Sequence, residues 1–599
     1  MPRLAVLLSL VCALVAGACN VDVGDDDATS SDVPEGCAAV DIASSPEKLD
    51  LLNDLARRFN GTDEAKGGDG ECGFVRVFRS SSGVAASLLA DGWPDEERNG
   101  PKPVIWSPAA KSWGAVVNQR LAVAGKDPIA DLEARPFMVT PLVIAMPRPM
   151  AEALGWPDTP IGYADLLALS RDSAGWASKG HPEWGRFKLG KTNPNFSTSG
   201  LSSTIAQYYA ATGKQADLTL EDVNRADVDA FMRGVESSVV HYGDITLTFL
   251  NNLYRNDRAG TGLTYVSAVA VEEKSIIDYN RGDPDGIRDP GEEPRAPRVP
   301  LVAIYPKEGT LFSDNPFFVL DAPWVNAKER DAAKRFEEFV QRPENQRRVL
   351  EFGFRPGNAQ VAVGDPITRA NGADPAQPQT TLGVPQPEVL VRLIEKWGEQ
   401  RKAAKVMLVI DVSGSMGEEV SPGSTKLDLA KKAAVDALDE FKDDDLVSLR
   451  IFSTEIGPEA HPDYIDLVPF GPIVQQRERI AGEIQKLIPT EGTPLYEVAQ
   501  SSYKQLRSEY DAERINAVVL LTDGRNEDDY NDLNATITAL RAGSEGTTST
   551  PVRLFTIAYG GDADKATLKR MAEATNAAAY DASDPGTISR VFTAVVSNF

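Results

Sequence analysis

Histidine is scarce in this 599-residue sequence. His181, His241 and His461 are the only three, and none lies near another. A histidine-based metal site or a Ser-His-Asp hydrolase is therefore poorly supplied. Cysteine is nearly as rare, with four residues, two of them within the first 19 positions. Basic residues are outnumbered, 62 Lys and Arg against 88 Asp and Glu, which gives a formal net charge of −26. That field repels a phosphate backbone, so no nucleic-acid partner is expected. The sequence has no nucleophile elbow, no Gly-rich phosphate loop with a lysine, and no His or Cys cluster, so the chain is not expected to be an enzyme. Beyond the N-terminus no apolar run is long enough to span a membrane.

What is present begins with Met1 to Ala18. One basic residue, Arg3, precedes the apolar run LAVLLSLVCALVAGA, and Cys19 follows. Residues 1–18 read as a secretion signal, too short and wrongly flanked for a membrane span. The ending LVAGAC resembles a bacterial lipobox, which implies lipidation of Cys19. Residues 19–36 are acidic and lack apolar periodicity, the character of a flexible tether. Cys37 and Cys72 remain as an even pair in an exported chain, and a disulfide between them is expected. The expected location is the extracytoplasmic face of the cell membrane, with the protein held by its lipid.

A chain of this length holds at least two domains. From Val40 onward short apolar runs alternate with helical periodicity. VDIASS reads as a strand, and PEKLDLLNDLARRF as a helix with Leu49, Leu52, Ala56 and Phe59 on one face. This βα alternation predicts an α/β fold with a mostly parallel sheet. RPFMVTPLVIAMP, interrupted by Pro141, reads either as one buried strand or as a crossover between two lobes. Residues 358–386 are rich in Pro, Gly, Gln and Ala and poor in periodicity, and the stretch 358–402 reads as an interdomain linker.

Residues 37–357 resemble a bacterial extracellular solute-binding protein of the two-lobed, periplasmic-binding type. Beside the export signal and the βα order, the resemblance rests on hydroxyl-rich turns that open helices, at Ser44-Ser45, Ser80-Ser81-Ser82-Gly83 and Ser197-Thr198-Ser199-Gly200. It implies that such turns line a cleft between lobes. Helix N-termini carry unpaired N–H groups and a positive dipole end, so these turns are candidate anion cradles. The competing reading is that each serine simply caps its helix. The candidate ligand residues are Ser44, Ser81, Ser82, Ser197, Thr198, Ser199 and Tyr242. The ligand is a small solute or anion, with an oxyanion as the alternative.

From Lys405 the alternation sharpens. The strand VMLVI runs into DVSGSM, which puts Asp411, Ser413 and Ser415 at a strand end. Thr493 follows in the loop EGTP, and Asp523 ends the buried strand VVLLTDG. Ligand sites in open α/β sheets lie outside the carboxyl ends of strands. Two carboxylates and three hydroxyls there make an all-oxygen site for a hard cation. The pattern D-x-S-x-S, then T, then D resembles the von Willebrand factor type A (vWA) domain and its metal-ion-dependent adhesion site. Over 403–599 the resemblance implies a doubly wound, Rossmann-like fold. It also implies Mg²⁺ (or Mn²⁺) held by Asp411, Ser413, Ser415, Thr493 and Asp523, with an Asp or Glu of a protein partner completing the shell. The expected function is recognition by a membrane-anchored adhesion lipoprotein. The alternative is an ABC-type uptake receptor with an accessory vWA domain.

Overall fold

The computed structural model describes residues 32–67, 72–243, 245–286, 293–527, 532–596 and 598–599. The signal segment, Cys19 and most of the acidic tether lie outside the described residues. Among the described residues no helix is long and apolar enough to cross a membrane.

The first lobe is built on β1 (Cys37–Ser44), β2 (Cys72–Arg79) and β3 (Ile105–Ser107), paired in parallel with β1 in the middle. Cys37 and Cys72 are the first register pair of β1 and β2, and a disulfide joins them with Cα atoms 4.5 Å apart. Leu49, Leu52, Ala56 and Phe59 of the following helix are all buried, as their spacing predicts.

The chain then enters the second lobe through β4 (Met138–Pro147), followed by β5 (Leu189–Thr192), β6 (Val239–Gly243), β7 (Ala268–Glu272), β8 (Leu301–Ile304) and β9 (Phe312–Ser313). β4 is a single strand of ten residues, and Pro141 is accommodated beside the two-residue β9. The chain returns to the first lobe as β10 (Phe318–Val319), antiparallel to β3, and crosses again as β11 (Arg355–Pro356), antiparallel to β4. The lobe junction is thus made of segments near residues 137, 316 and 355. It is packed by Phe137 stacked on Phe317, with ring centroids 4.2 Å apart.

The segment 358–402, read above as a linker, is not a free tether. Leu382 donates its N–H to Thr310 O and is buried. Residues Pro387–Gln400 form a helix that buries Val389, Leu390, Leu393, Ile394 and Trp397. This helix packs on the Ser112–Val123 helix of the first lobe and on the Thr198–Thr212 and Ala226–Glu236 helices of the second. The PEVLVRLIEKW sequence has the helical apolar period, which the Pro- and Gln-rich stretch before it obscures.

Arg401 and Lys402 then lead into the C-terminal domain. Its strands are β12 (Ala404–Asp411), a hairpin of β13 (Glu419–Ser421) and β14 (Ser424–Thr425), β15 (Leu446–Phe452), β16 (Tyr464–Pro472), β17 (Ile515–Thr522), β18 (Arg553–Tyr559) and β19 (Ala579–Ala582). The main sheet has the order β16-β15-β12-β17-β18-β19, parallel except for β16. All eight residues of β12 and all eight of β17 are buried, as expected for central strands covered by helices on both faces.

The two domains are docked. Asn252 and Asn256 donate to Asn576, and Arg255 pairs with Glu573 at 3.0 Å. Lys188 pairs with Glu545, and Thr264 Oγ1 donates to Gly546 O. Residues 545, 546, 573 and 576 precede β18 or β19, so this contact uses the amino ends of the C-terminal sheet. The carboxyl ends lie about 25 Å away, the length of an eight-residue strand.

Candidate functional site

Asp411 is the last residue of β12, and Asp523 follows β17, its neighbour in the sheet. Ser413 Oγ lies 3.1 Å from Ser415 Oγ, and Ser415 Oγ donates to Asp523 Oδ1 at 2.7 Å. The carboxylate of Asp411 accepts from Ser413 N at 2.7 Å and from Thr522 Oγ1 at 2.5 Å. A Cβ placed on Gly524 would lie 2.7 Å from Thr493 Oγ1, so Thr493 sits against the residue that follows Asp523. All five residues singled out in the sequence meet at one end of the sheet.

Three loops are stitched together around them. Gly414 N donates to Glu491 O, Thr490 N to Val412 O, and Thr493 N to Glu527 Oε2. Asp411, Ser413 and Asp523 are each no more than 1% exposed. Burial pushes the Asp411 carboxyl up to about 7, against the hydrogen bonds from Thr522 and Ser413 and with help from the nearby Asp523 charge. The donor set of two carboxylates and three hydroxyls suits a hard, oxygen-preferring divalent cation. Among the described residues no group of three or more His, Cys, Asp or Glu side chains is placed to hold a metal. The C-terminal cluster has two carboxylates, Asp411 and Asp523, and its other oxygens are hydroxyls.

Lys426 was not anticipated from the sequence. Its Nζ donates to Asp523 Oδ2 at 2.9 Å and to Glu418 Oε2 at 2.6 Å. It opens the helix after β14, where a lysine looks like ordinary surface.

The second candidate site is the cleft between the lobes, a partly open space with a cavity volume of about 40 Å³. Ser81, Ser82, Ser197 and Thr198 line it. Neither Ser81 nor Ser197 caps the helix it precedes with its side chain. Capping therefore does not account for these hydroxyls. The lobes touch here: Gly83 N donates to Phe196 O at 3.0 Å, and Thr198 Oγ1 donates to Ser82 Oγ at 3.2 Å.

Three other expected residues do not line the cleft. Ser44 is fully buried, and its hydroxyl donates to Ser45 O. Ser199 lies behind the lining, bonded to Thr192, Ser197 and Thr246. Tyr242 is buried on the far side of β6. Its hydroxyl donates to Glu236 Oε2 at 2.6 Å and accepts from Lys402 N at 3.0 Å. The ring meets Trp397 edge-on at 5.0 Å. Its partner Glu236 forms a fully buried ion pair with Lys191. Tyr242 thus joins the second lobe to the 387–400 helix and does not face a solute.

Residues missed by the sequence reading include Glu47, Phe196, Thr246 and Glu272, all in the cleft lining. Burial pushes the Glu272 carboxyl up to about 7, with Glu47 adding to the shift and Ser313 and Lys48 opposing it. A carboxyl whose folded value lies above its ordinary value of 4.5 favours the fold most below pH 4.5. That contribution is lost as pH rises through 7. Glu272→Gln is therefore expected to gain about 3 kcal/mol over the parent between pH 4.5 and 8. Urea unfolding at the two pH values measures this difference.

A two-lobed domain with a hydroxyl-lined cleft is joined here to an open sheet with a strand-end oxygen site. The family model for bacterial extracellular solute-binding proteins matches residues 40–355, more than half of the chain, and the chain belongs to that family. The von Willebrand factor type A model matches residues 405–594.

An uncharacterized protein of Mycobacterium tuberculosis (strain ATCC 25618 / H37Rv) is 20% identical over 546 residues, covering 90% of this chain and 73% of that one. Among solved structures, a von Willebrand factor type A protein from Catenulispora acidiphila is 22% identical, with a TM-score of 0.26. That match covers 33% of this chain and 42% of the other, less than half its length. The periplasmic binding protein AfuA from Actinobacillus pleuropneumoniae, solved with fructose-6-phosphate bound, is 14% identical with a TM-score of 0.40. It is matched over 62% of this chain and its own full length.

Proposed function

We propose that this chain is an exported, membrane-tethered recognition protein. It would bind a protein partner through a divalent cation at its C-terminal site and a small solute in its N-terminal cleft. The observation that carries this reading is the convergence of Asp411, Ser413, Ser415, Thr493 and Asp523 at the sheet end opposite the docked first domain. Those five residues would hold Mg²⁺ or Mn²⁺. The cation supplies an electrophilic centre that attracts a carboxylate from outside. The chain's hydroxyls contribute ligand atoms without charge, so two carboxylates leave the ion under-neutralised. The disulfide between Cys37 and Cys72 fits an oxidising compartment. The lipobox-like LVAGAC supports a lipid anchor at Cys19.

The test is partner capture from envelope extracts on the immobilised mature protein, in Mg²⁺, in EDTA, and with Asp411→Ala in Mg²⁺. A protein retained only by the intact site in Mg²⁺ supports the reading. Retention that ignores both metal and Asp411 overturns it.

Lys426 bears on the same site. Its ammonium neutralises Asp523 from the side away from Ser415. Lys426→Met removes a repelling charge from the cation's neighbourhood. Mg²⁺ affinity is expected to rise about tenfold, on the order of 1.4 kcal/mol. Isothermal titration with Mg²⁺ reads this directly, and weaker or unchanged binding contradicts it.

A second reading, an uptake receptor, is favoured by the closed, hydroxyl-lined cleft. A small molecule that co-purifies with the protein, with no metal-dependent partner, selects it.

A further inference from the structure

The cleft is lined by a carboxylate from each lobe, Glu47 from the first and Glu272 from the second. Among the described residues no lysine or arginine lines it. Lys48 is the cation next in sequence, but its Nζ is turned away. It donates to Pro108 O and Asn315 Oδ1, each at 2.8 Å, and the residue is 1% exposed. Both of those acceptors are uncharged, and Lys48 acts on Glu47 and Glu272 only through its charge, without a hydrogen bond to either.

Helix amino ends do converge here, since the 82–90, 198–212 and 246–259 helices all start at lining residues. Such ends favour anions. Two anions, however, are built into the chain at ends of this kind. Glu272 is the residue that precedes the Glu273–Arg281 helix. Glu47 sits in the first turn of the short helix Pro46–Lys48, which continues into Leu49–Asn60. Ser45 Oγ donates to Glu47 Oε1 at 2.5 Å and holds it in place. The chain thus lines the cleft with two carboxyls, while Lys48, whose charge acts on both, is held behind the lining. An oxyanion from outside would bring further negative charge against these two carboxyls. A cation would satisfy both carboxylates and tie the lobes to each other. Phe196, Ile245 and Leu247 add apolar wall for a carbon skeleton, and the serine and threonine hydroxyls add acceptors for N–H groups.

We infer that the interlobe cleft takes a small organic cation, an amine whose ammonium group sits between Glu47 and Glu272. Burial and the Glu47 charge disfavour the ionised Glu272 carboxyl, a cost that a bound ammonium group would offset. This inference rests on the small-solute reading of the cleft and is independent of the metal site.

The experiment is isothermal titration of the mature, full-length protein with putrescine and ethanolamine, and separately with inorganic phosphate and sulfate. Glu272→Gln and Glu47→Gln are titrated in parallel after circular dichroism establishes that they fold. At least one amine is expected to bind the parent, with affinity falling about thirtyfold in Glu272→Gln. Equal amine affinity in the parent and both variants places the amine elsewhere and overturns the inference. So does binding of phosphate or sulfate, which would leave the small-solute reading standing. If neither amine nor either anion binds, the amine assignment falls. Native mass spectrometry of the protein as isolated then tests the solute reading separately, through the presence or absence of any retained small molecule.

Discussion

Asp411→Asn is expected to abolish the Mg²⁺-dependent rise in melting temperature while leaving the metal-free protein folded. The substitution keeps the side-chain shape and an oxygen that can accept from Ser413 N or Thr522 Oγ1. It removes one of the two carboxylates in the candidate metal set. Loss of an outer-sphere partner alone costs 10- to 100-fold in metal affinity, so loss of a carboxylate ligand should cost about 100-fold or more. The metal-free fold has little to lose, because a fully buried carboxylate carries a desolvation penalty that an amide does not. Thermal melts of parent and variant, each with Mg²⁺ and with EDTA, separate the two effects. A variant that keeps the Mg²⁺ shift would remove Asp411 from the site. A variant that fails to fold without metal would make Asp411 structural.

Gly83→Val is expected to hold the lobes apart. A Cβ at this position would lie 2.1 Å from Asn195 O and 2.6 Å from Phe196 Cα, both backbone atoms of the opposite lobe. Real Cβ atoms do not approach so closely, and backbone yields less readily than a side-chain tip. The Gly83 N to Phe196 O hydrogen bond across the cleft would be lost with the contact. The Phe137–Phe317 stack at the lobe junction does not include Gly83, and each lobe has its own sheet. The variant should therefore stay folded and open. Small-angle scattering should show a larger radius of gyration than the parent, by about 1 Å or more for a domain of this size. A radius of gyration equal to the parent's would show that the turn adapts locally.

The sequence was most legible where a buried strand ends in polar residues. Eight consecutive buried positions in β12 make its carboxyl end unmistakable, and Asp411 stands there in the structure as it does in the string. The apolar stripe Leu427, Ala430, Ala434, Leu438 and Phe441 is likewise buried as its spacing predicts. Legibility failed where a residue's role depends on a distant partner. Tyr242 precedes a glycine at a strand end, which also describes a cleft residue. Only the fold shows Glu236 and Lys402 on either side of its hydroxyl. Glu47 and Glu272 look like ordinary acidic residues at helix starts. They acquire meaning from facing one space from two lobes 225 positions apart in sequence, a separation that periodicity does not register. The 387–400 helix was hidden for a different reason. Its apolar stripe begins directly after the Pro- and Gln-rich loop, with no break in the sequence to mark its start.

That helix has one consequence for how the molecule works as a whole. It is seated on both lobes, and two residues beyond its end the chain is already the lead-in to the central strand that ends at Asp411. Any swing of one lobe against the other must strain or release one of its two seats. Cleft occupancy that moved one lobe would therefore bear on the attitude of the distal oxygen site, like a lever on its arm. Linkage of this kind is reciprocal: whatever a solute does to partner affinity, the partner does to solute affinity by the same factor. A pull exerted on the far face by a tethered partner would then be felt at the cleft as a change in how long the solute stays.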